Sequence, residues 1–167
     1  MAYRNARLQT QDVDEAHAFA TIIQTLPHPS ALWTALRCLA VALTEEIWEL
    51  RLLTLWVGIE ALLGPEDGKD IHKSVSKRVA RLLNPADDKT GREAYSMVFD
   101  NYDWRCAASH GARLSGRTED EKETALLYAE SILRSIVRRI LQDALLLSVF
   151  TSAQREPHLK KIAAGFH

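Results

Sequence analysis

The sequence predicts an all-α fold, an antiparallel helical bundle of about five helices. Apolar residues recur at spacings of three and four, and prolines, glycines and capping residues divide them into separate runs. No segment shows the apolar–polar alternation of a half-buried strand. The chain has 167 residues, of which 47% are hydrophobic and 26% charged, which is typical of a folded globular protein.

Two helices are predicted before the centre of the chain. Residues 12–26 combine helix-forming residues with apolar side chains at helical spacing, and the pattern stops before Pro27. Ser30 is a suitable N-cap for a second helix that extends to about Leu43. We expect residues 1–45 to form a helical extension that packs on the bundle.

The third helix, over residues 47–63, is apolar on nearly all sides and ends at Gly64 and Pro65. Such a helix belongs in the centre of the core. Its lone Glu60 stands out, because an unpaired carboxylate in an apolar helix is costly. Either Glu60 anchors Arg105, or it is simply a partly exposed carboxylate.

A fourth helix is predicted over residues 71–84, where apolar and basic residues separate into two faces. The apolar face carries Val75, Val79 and Leu82 or Leu83. The basic face carries Lys73, Lys77 and Arg81.

The second half of the chain predicts a fifth helix over residues 91–110, closed by Gly111 as a left-handed C-terminal cap. Thr118 and Glu121 then form a capping-box signature. The apolar pattern that follows predicts one helix of about 32 residues, about 48 Å long if unbroken. For the tail over residues 154–167 we expect either a short turn after Pro157 or disorder.

Composition limits the functional classes. The formal net charge is -1, so a nucleic-acid surface would have to be local. The two cysteines, Cys38 and Cys106, lack the spacing of a disulfide framework or metal site, and no Gly-rich phosphate loop is present, so no cofactor is expected. The N-terminus lacks the pattern of a secretory signal, and the longest apolar stretch, residues 52–59, is far shorter than the roughly 20 residues of a membrane span. We expect a cytoplasmic protein that does not enter membranes.

Functional groups are concentrated in residues 102–111, YDWRCAASHG, at the end of the fifth helix. A helix C-terminus carries partial negative charge, which favours a protonated imidazole and suits His110 to act as an acid. Arg105 and His110 are separated by about 140° around a regular helix, so they do not share a face. Either the last turn loosens at Gly111, or two copies of the motif converge across a dimer axis.

The Arg-x4-His spacing of this segment is the signature of HEPN domains, and the whole segment resembles the Tyr-Asp-x-Arg-Ser-x-x-x-His-Gly pattern of the Apea-like HEPN group. LLTLWVGIEALLG and KSVSKRVARLL are similar to the segments that precede it in that group. The resemblance covers roughly residues 45 to 150 and implies a HEPN-like core over residues 46–151, followed by the tail over 152–167.

The resemblance implies a helical domain that commonly dimerises and is, in many members, a metal-independent endoribonuclease, in some cases a toxin or defence effector restrained by an antitoxin. Arg105 and His110 would be the catalytic pair. In this chemistry the RNA 2'-hydroxyl attacks the adjacent phosphate, the imidazole moves a proton, and the guanidinium balances the growing negative charge. The supporting residues would be Glu60, Tyr102, Asp103 and Ser109, and the RNA-binding residues Lys73, Lys77, Arg78, Arg81, Arg113 and Arg117.

Other interpretations remain open. Cys106 stands where the family often has a more strongly hydrogen-bonding residue, which weakens the inference of catalysis. The domain would then be a non-catalytic module that binds RNA, a nucleotide or a partner protein, or a purely structural dimerisation domain. Arg105 would form a surface ion pair with Asp103 or Glu60. Cys106 and His110, four residues apart, also admit a nucleophile–base pair, although a buried small residue is the simpler account of Cys106.

Overall fold

The computed structural model describes residues 9–85, 88–111 and 116–164, with the Asp88 side chain excepted. These residues form eight helices and no strand, which confirms the all-α class. The helices are α1 (Thr10–Gln24), α2 (Ala31–Ala42), α3 (Trp48–Leu63), α4 (Ile71–Leu83), α5 (Asp88–His110), α6 (Glu119–Gln142), α7 (Ala144–Phe150) and α8 (Arg155–Ala164).

Two predicted N-terminal caps are confirmed by their hydrogen bonds. The Ser30 hydroxyl accepts from the Trp33 amide at 3.2 Å. The Thr118 hydroxyl accepts from the Glu121 amide at 3.2 Å, and the Glu121 carboxylate accepts from the Thr118 amide at 2.8 Å. These bonds satisfy amide groups that the first helical turn leaves without a backbone partner.

Helix α3 lies in the centre of the core, as its apolar sequence predicts. The side chains of Leu52, Leu55, Trp56, Ile59, Leu62 and Leu63 are fully buried. Gly58 allows the neighbouring helices to approach closely, because a Cβ at this position would lie 2.7 Å from Leu133 Cδ2 on α6 and 3.0 Å from Cys38 Cβ on α2. Core packing of this density leaves no room for an added methyl group.

Helix α5 contacts α3 near both of its ends. Trp104 contacts Trp48 at the start of α3, with ring centroids 6.1 Å apart. The next residue, Arg105, pairs with Glu60 near the end of α3. These two positions on α3 are about 18 Å apart along a helix axis. Adjacent residues of α5 therefore contact side chains from both ends of α3.

The prediction of one helix of about 32 residues after Thr118 is wrong, because two shorter helices occupy this part of the chain. Helix α6 ends at Gln142 after 24 residues. Asp143 leaves the helical conformation, and its carboxylate accepts from the amides of Leu145 at 3.0 Å and Leu146 at 3.1 Å. Asp143 therefore caps a new helix, α7. Apolar spacing continues through this break, whereas the capping side chain interrupts the backbone.

The expectation of a short turn or disorder in the C-terminal tail is also wrong for residues 155–164, which form α8. Pro157 lies in its first turn, where an amide proton has no helical partner to lose. Leu159 is fully buried. Leu32 of α2 belongs to the same core cluster, so this core extends across both predicted boundaries, at residues 45 and 151.

Helix α1 is attached to the outside of this core, and none of its residues is buried. Its apolar residues Phe19, Ile22 and Ile23 pack against the core. Glu15 adds hydrogen bonds, accepting from the Arg138 guanidinium at 3.0 and 2.6 Å and from the Gln142 amide at 2.6 Å. Within the described residues, no helix has both the length and the hydrophobicity needed to cross a lipid bilayer.

A buried ion pair joins α4 to α8. The Arg78 guanidinium donates to both carboxylate oxygens of Glu156, at 3.0 and 2.7 Å, and also to the Leu63 carbonyl at 3.0 Å. Arg78 and Glu156 are each 4% exposed. A buried charge is tolerated when its partner and hydrogen bonds are all present. This pair therefore holds α8 against the ends of α3 and α4.

Replacing Arg78 with Met should lower the free energy of unfolding by about 3–5 kcal/mol, because it leaves the Glu156 carboxylate buried without its partner. Urea denaturation followed by circular dichroism measures the change. The double variant Arg78→Met/Glu156→Leu should recover much of the loss. The matched control, Arg138→Met at an exposed ion pair, should cost no more than about 1 kcal/mol. A loss at Arg78 no larger than this control would contradict the structural role of the pair.

Candidate functional site

The segment over residues 102–111 lies in the last turns of α5, and the helix remains regular to its end. The Gly111 amide donates to the Ala107 carbonyl at 3.0 Å. Gly111 itself has φ 67°, the left-handed conformation that glycine adopts readily, which confirms the predicted cap. The last turn therefore does not loosen before His110.

Glu60 and Arg105 form the ion pair that connects the segment to the core. Arg105 Nε donates to Glu60 Oε1 at 3.0 Å, and the two side chains are 28% and 22% exposed. The Arg105 guanidinium also lies over the Tyr102 ring, 5.4 Å from its centroid. Glu60, rather than Asp103, is thus the ion-pair partner of Arg105. This contact fixes where the guanidinium lies on α5.

Tyr102 is the buried part of this cluster. Its ring packs edge-on against Trp56, with centroids 4.9 Å apart, and stacks on His72 at 4.5 Å. Burial, together with the nearby Glu60 carboxylate, raises the pKa of Tyr102 to about 12, against the effect of the Arg105 cation. The phenol therefore stays neutral at physiological pH.

His72 is the residue of this cluster that the sequence analysis missed. Its ring lies between α4 and α5, stacked on Phe99 with centroids 3.5 Å apart, and its Nε2 is 2.7 Å from the Phe99 carbonyl. The ring nitrogen therefore carries a hydrogen and donates a hydrogen bond to that carbonyl. A histidine in the first turn of a helix gives no signal in the sequence, because only the packing of α4 on α5 brings it to Tyr102.

The single chain does not bring His110 to Arg105. His110 is exposed at the end of α5. With the helix intact, it lies about 140° around the axis from Arg105. Asp103 and Ser109 are also exposed, and the Ser109 hydroxyl donates to the Cys106 carbonyl at 2.9 Å. Of the predicted site residues that the structure describes, only Glu60, Tyr102 and Arg105 lie together.

The predicted basic residues do not form one surface. Arg78 is buried in its ion pair with Glu156, so its assignment to an RNA-binding surface is wrong. Lys73 and Lys77 line a cavity beside α8. Arg117 lies over the Trp104 ring, 4.8 Å from its centroid, in a different groove between α5 and α6.

The other two predicted basic residues are Arg81 and Arg113. Arg81, one turn after Lys77 on α4, is half-buried. Arg113 lies outside the described residues.

No protein-family model, curated protein or solved structure matches this chain. The residues of the structure that can be described contain no group of three or more His, Cys, Asp or Glu side chains placed to hold a metal ion.

Cys106 is half-buried next to Arg105, and burial raises the pKa of its thiol, while the Arg105 cation opposes the shift. A raised pKa means less thiolate, which is the nucleophilic form. This disfavours a Cys106–His110 nucleophile–base pair and agrees with a packing role for Cys106.

At pH 8, iodoacetamide should alkylate Cys106 severalfold more slowly in the folded protein than in urea, because folding lowers both the thiolate fraction and access to the sulfur. Mass spectrometry of the Cys106 peptide over time gives both rates, and the more deeply buried Cys38 serves as a reference. If Cys106 reacted faster in the folded protein, its thiol would be activated and the nucleophile hypothesis would regain support.

Proposed function

We propose that this protein is a metal-independent endoribonuclease that acts as a homodimer, with Arg105 and His110 as its catalytic pair. The proposal extends to a HEPN-type toxin or defence effector in the cytoplasm, restrained by a partner protein. Its substrate is RNA, because the reaction uses the 2'-hydroxyl as the nucleophile.

The observation that carries the proposal is the state of the Arg105 guanidinium. Glu60 Oε1 accepts a hydrogen bond from Arg105 Nε at 3.0 Å. Neither terminal nitrogen of Arg105 donates a hydrogen bond to an oxygen among the described residues. The Arg105 side chain is 28% exposed to solvent. Two parallel N–H groups on a fixed guanidinium match two phosphate oxygens. The ion pair thus orients Arg105 without occupying the edge that a phosphate would bind.

The chemistry divides between two side chains. Arg105 donates to the non-bridging oxygens, where negative charge increases as the 2'-oxygen attacks phosphorus. His110 exchanges a proton with the attacking or leaving oxygen. Glu60 and Tyr102 keep the guanidinium in position, because the carboxylate accepts from its Nε and the Tyr102 ring packs against its face.

A dimer supplies the missing geometry. Within one chain the two catalytic groups lie on different sides of α5, whereas a two-fold axis beside the end of α5 places His110 of one copy near Arg105 of the other. We therefore propose that each catalytic pair combines residues of both copies.

The purified protein should cleave single-stranded RNA in the presence of EDTA and leave DNA of the same sequence intact. Arg105→Ala and His110→Ala should each lower the rate at least about a hundredfold, the usual size of an acid–base or electrostatic contribution. Gel analysis of end-labelled RNA measures the rate, and Lys161→Ala is a surface control. Wild-type protein without activity, or His110→Ala with full activity, would refute the proposal.

Shared active sites give a second test. Unfolding and refolding an equal mixture of Arg105→Ala and His110→Ala should restore about a quarter of wild-type activity, because half of the dimers are then mixed and each has one intact pair. Each variant refolded alone is the control and should stay inactive. If the refolded mixture is no more active than either variant refolded alone, the catalytic pair does not combine residues of two copies.

The separation of Arg105 from His110 in one chain favours a second candidate, a non-catalytic module. It would bind RNA, a nucleotide or a partner protein through the Arg105 surface. The RNA assay distinguishes the two functions, because this candidate predicts binding that Arg105→Ala weakens, with no cleavage by the wild type.

A further inference from the structure

A basic cavity lies between the start of α4 and α8, apart from the Arg105 cluster. Its volume is about 530 Å³. Four lysines from three segments line it, Lys69 in the loop before α4, Lys73 and Lys77 on α4, and Lys160 on α8. Since the whole chain has a formal net charge of -1, this concentration of positive charge is local.

Most of these ammonium groups have no carboxylate partner within the part of the chain that the structure describes. Among the described residues, the side chains of Lys69, Lys73 and Lys77 form no ion pair. Lys160 is 3.8 Å from Glu156 Oε1, but both oxygens of that carboxylate already accept from Arg78. Ammonium groups that share a cavity repel each other, and a bound anion relieves that repulsion.

The cavity is also firmly built. Arg78 and Glu156 line it, and their buried ion pair fixes α4 relative to α8. The opposing charges are Asp67 and Asp70. One Asp67 oxygen accepts from the Lys69 amide at 3.1 Å. Once Arg78 neutralises Glu156, four lysines face two aspartates.

The start of α4 adds positive potential to the same cavity. Asp70 occupies the N-cap position with φ 45°, and its side chain caps no amide in the described part of the chain. Among the described residues, the first-turn amides of α4 have no side-chain acceptor, and the positive end of the helix dipole lies at Asp70, in the cavity lining.

We propose that this cavity binds an oligophosphate chain of three or more negative charges. Several flexible lysine ammonium groups suit a chain of phosphates, whose charges are spread along its length. A single planar carboxylate would be bound more specifically by an arginine guanidinium. None of the described residues that line the cavity is aromatic, so a nucleobase has no ring on which to stack. The phosphate chain is the recognised group, either free or as part of a nucleotide.

Isothermal titration calorimetry of the full chain with inorganic tripolyphosphate tests the proposal. We expect saturable binding of one ligand per chain that weakens as salt increases. Lys73→Glu should weaken it at least about tenfold, since it replaces an attraction with a repulsion. Lys161→Glu is the matched control, because it makes the same charge change on α8 at an exposed residue outside the cavity lining. Circular dichroism verifies that both variants fold.

Two further titrations complete the design. Lys77→Gln should weaken binding by less than Lys73→Glu, and Arg105→Ala should not affect it, which separates this site from the proposed nuclease centre. ATP that binds as tightly as tripolyphosphate, with the same dependence on Lys73, identifies a nucleotide as a source of the phosphate chain. Tighter binding of tripolyphosphate identifies the free chain.

Three results would overturn the proposal. The first is no heat of binding at millimolar tripolyphosphate. The second is equal weakening by Lys73→Glu and Lys161→Glu, which would mean attraction to the overall charge only. The third is full displacement of tripolyphosphate by an RNA oligonucleotide at the same phosphate concentration, which would make the cavity part of a nucleic-acid surface.

Discussion

The arrangement of the core depends on satisfying one buried indole. Trp56 is fully buried, and its Nε1 donates to Asn101 Oδ1 at 3.1 Å. The Asn101 amide in turn donates to the Ala125 carbonyl of α6 at 2.8 Å. A buried N–H without an acceptor costs about 1–3 kcal/mol, so the three helices are held in the one register that completes this chain.

That register decides which side chains meet at the surface. Glu60 follows Trp56 by one turn on α3, and Arg105 follows Asn101 by one turn on α5. The buried hydrogen bond and the half-exposed ion pair are therefore successive contacts between the same two helices. The position of the guanidinium is set from within the core, and Tyr102, packed against Trp56, adds to the same constraint.

Local signals in the sequence predicted the helices well. Ser30, Thr118 and Gly111 act through bonds or torsions within a few residues of themselves, so their roles are evident from neighbouring residues. Asp143 was missed because the apolar spacing continues across it, and periodicity carries no information about which aspartate turns its carboxylate back to cap a helix.

Contacts between distant segments were harder to predict. The Glu60–Arg105 pair was one of two alternatives, since an apolar helix makes a lone carboxylate conspicuous. Arg78 gave no such signal. It lies among basic residues on α4, and it becomes a core residue only because α8 packs against it. The sequence did not indicate that residues 155–164 form this helix. The His72 stack and the lysine cavity likewise exist only once separate helices are packed together.

The absence of a side chain at Gly58 has a consequence for how this sequence can vary. A methyl group there would meet the end of the Leu133 side chain at 2.7 Å and Cys38 Cβ at 3.0 Å, so alanine requires Leu133 to rotate or become shorter, or α6 to shift outward. An outward shift of α6 would disturb the bond from Asn101 to the Ala125 carbonyl, which lies on that helix. The space available at position 58 thus depends on the side chain at position 133, and a designer who enlarges one has to make room at the other.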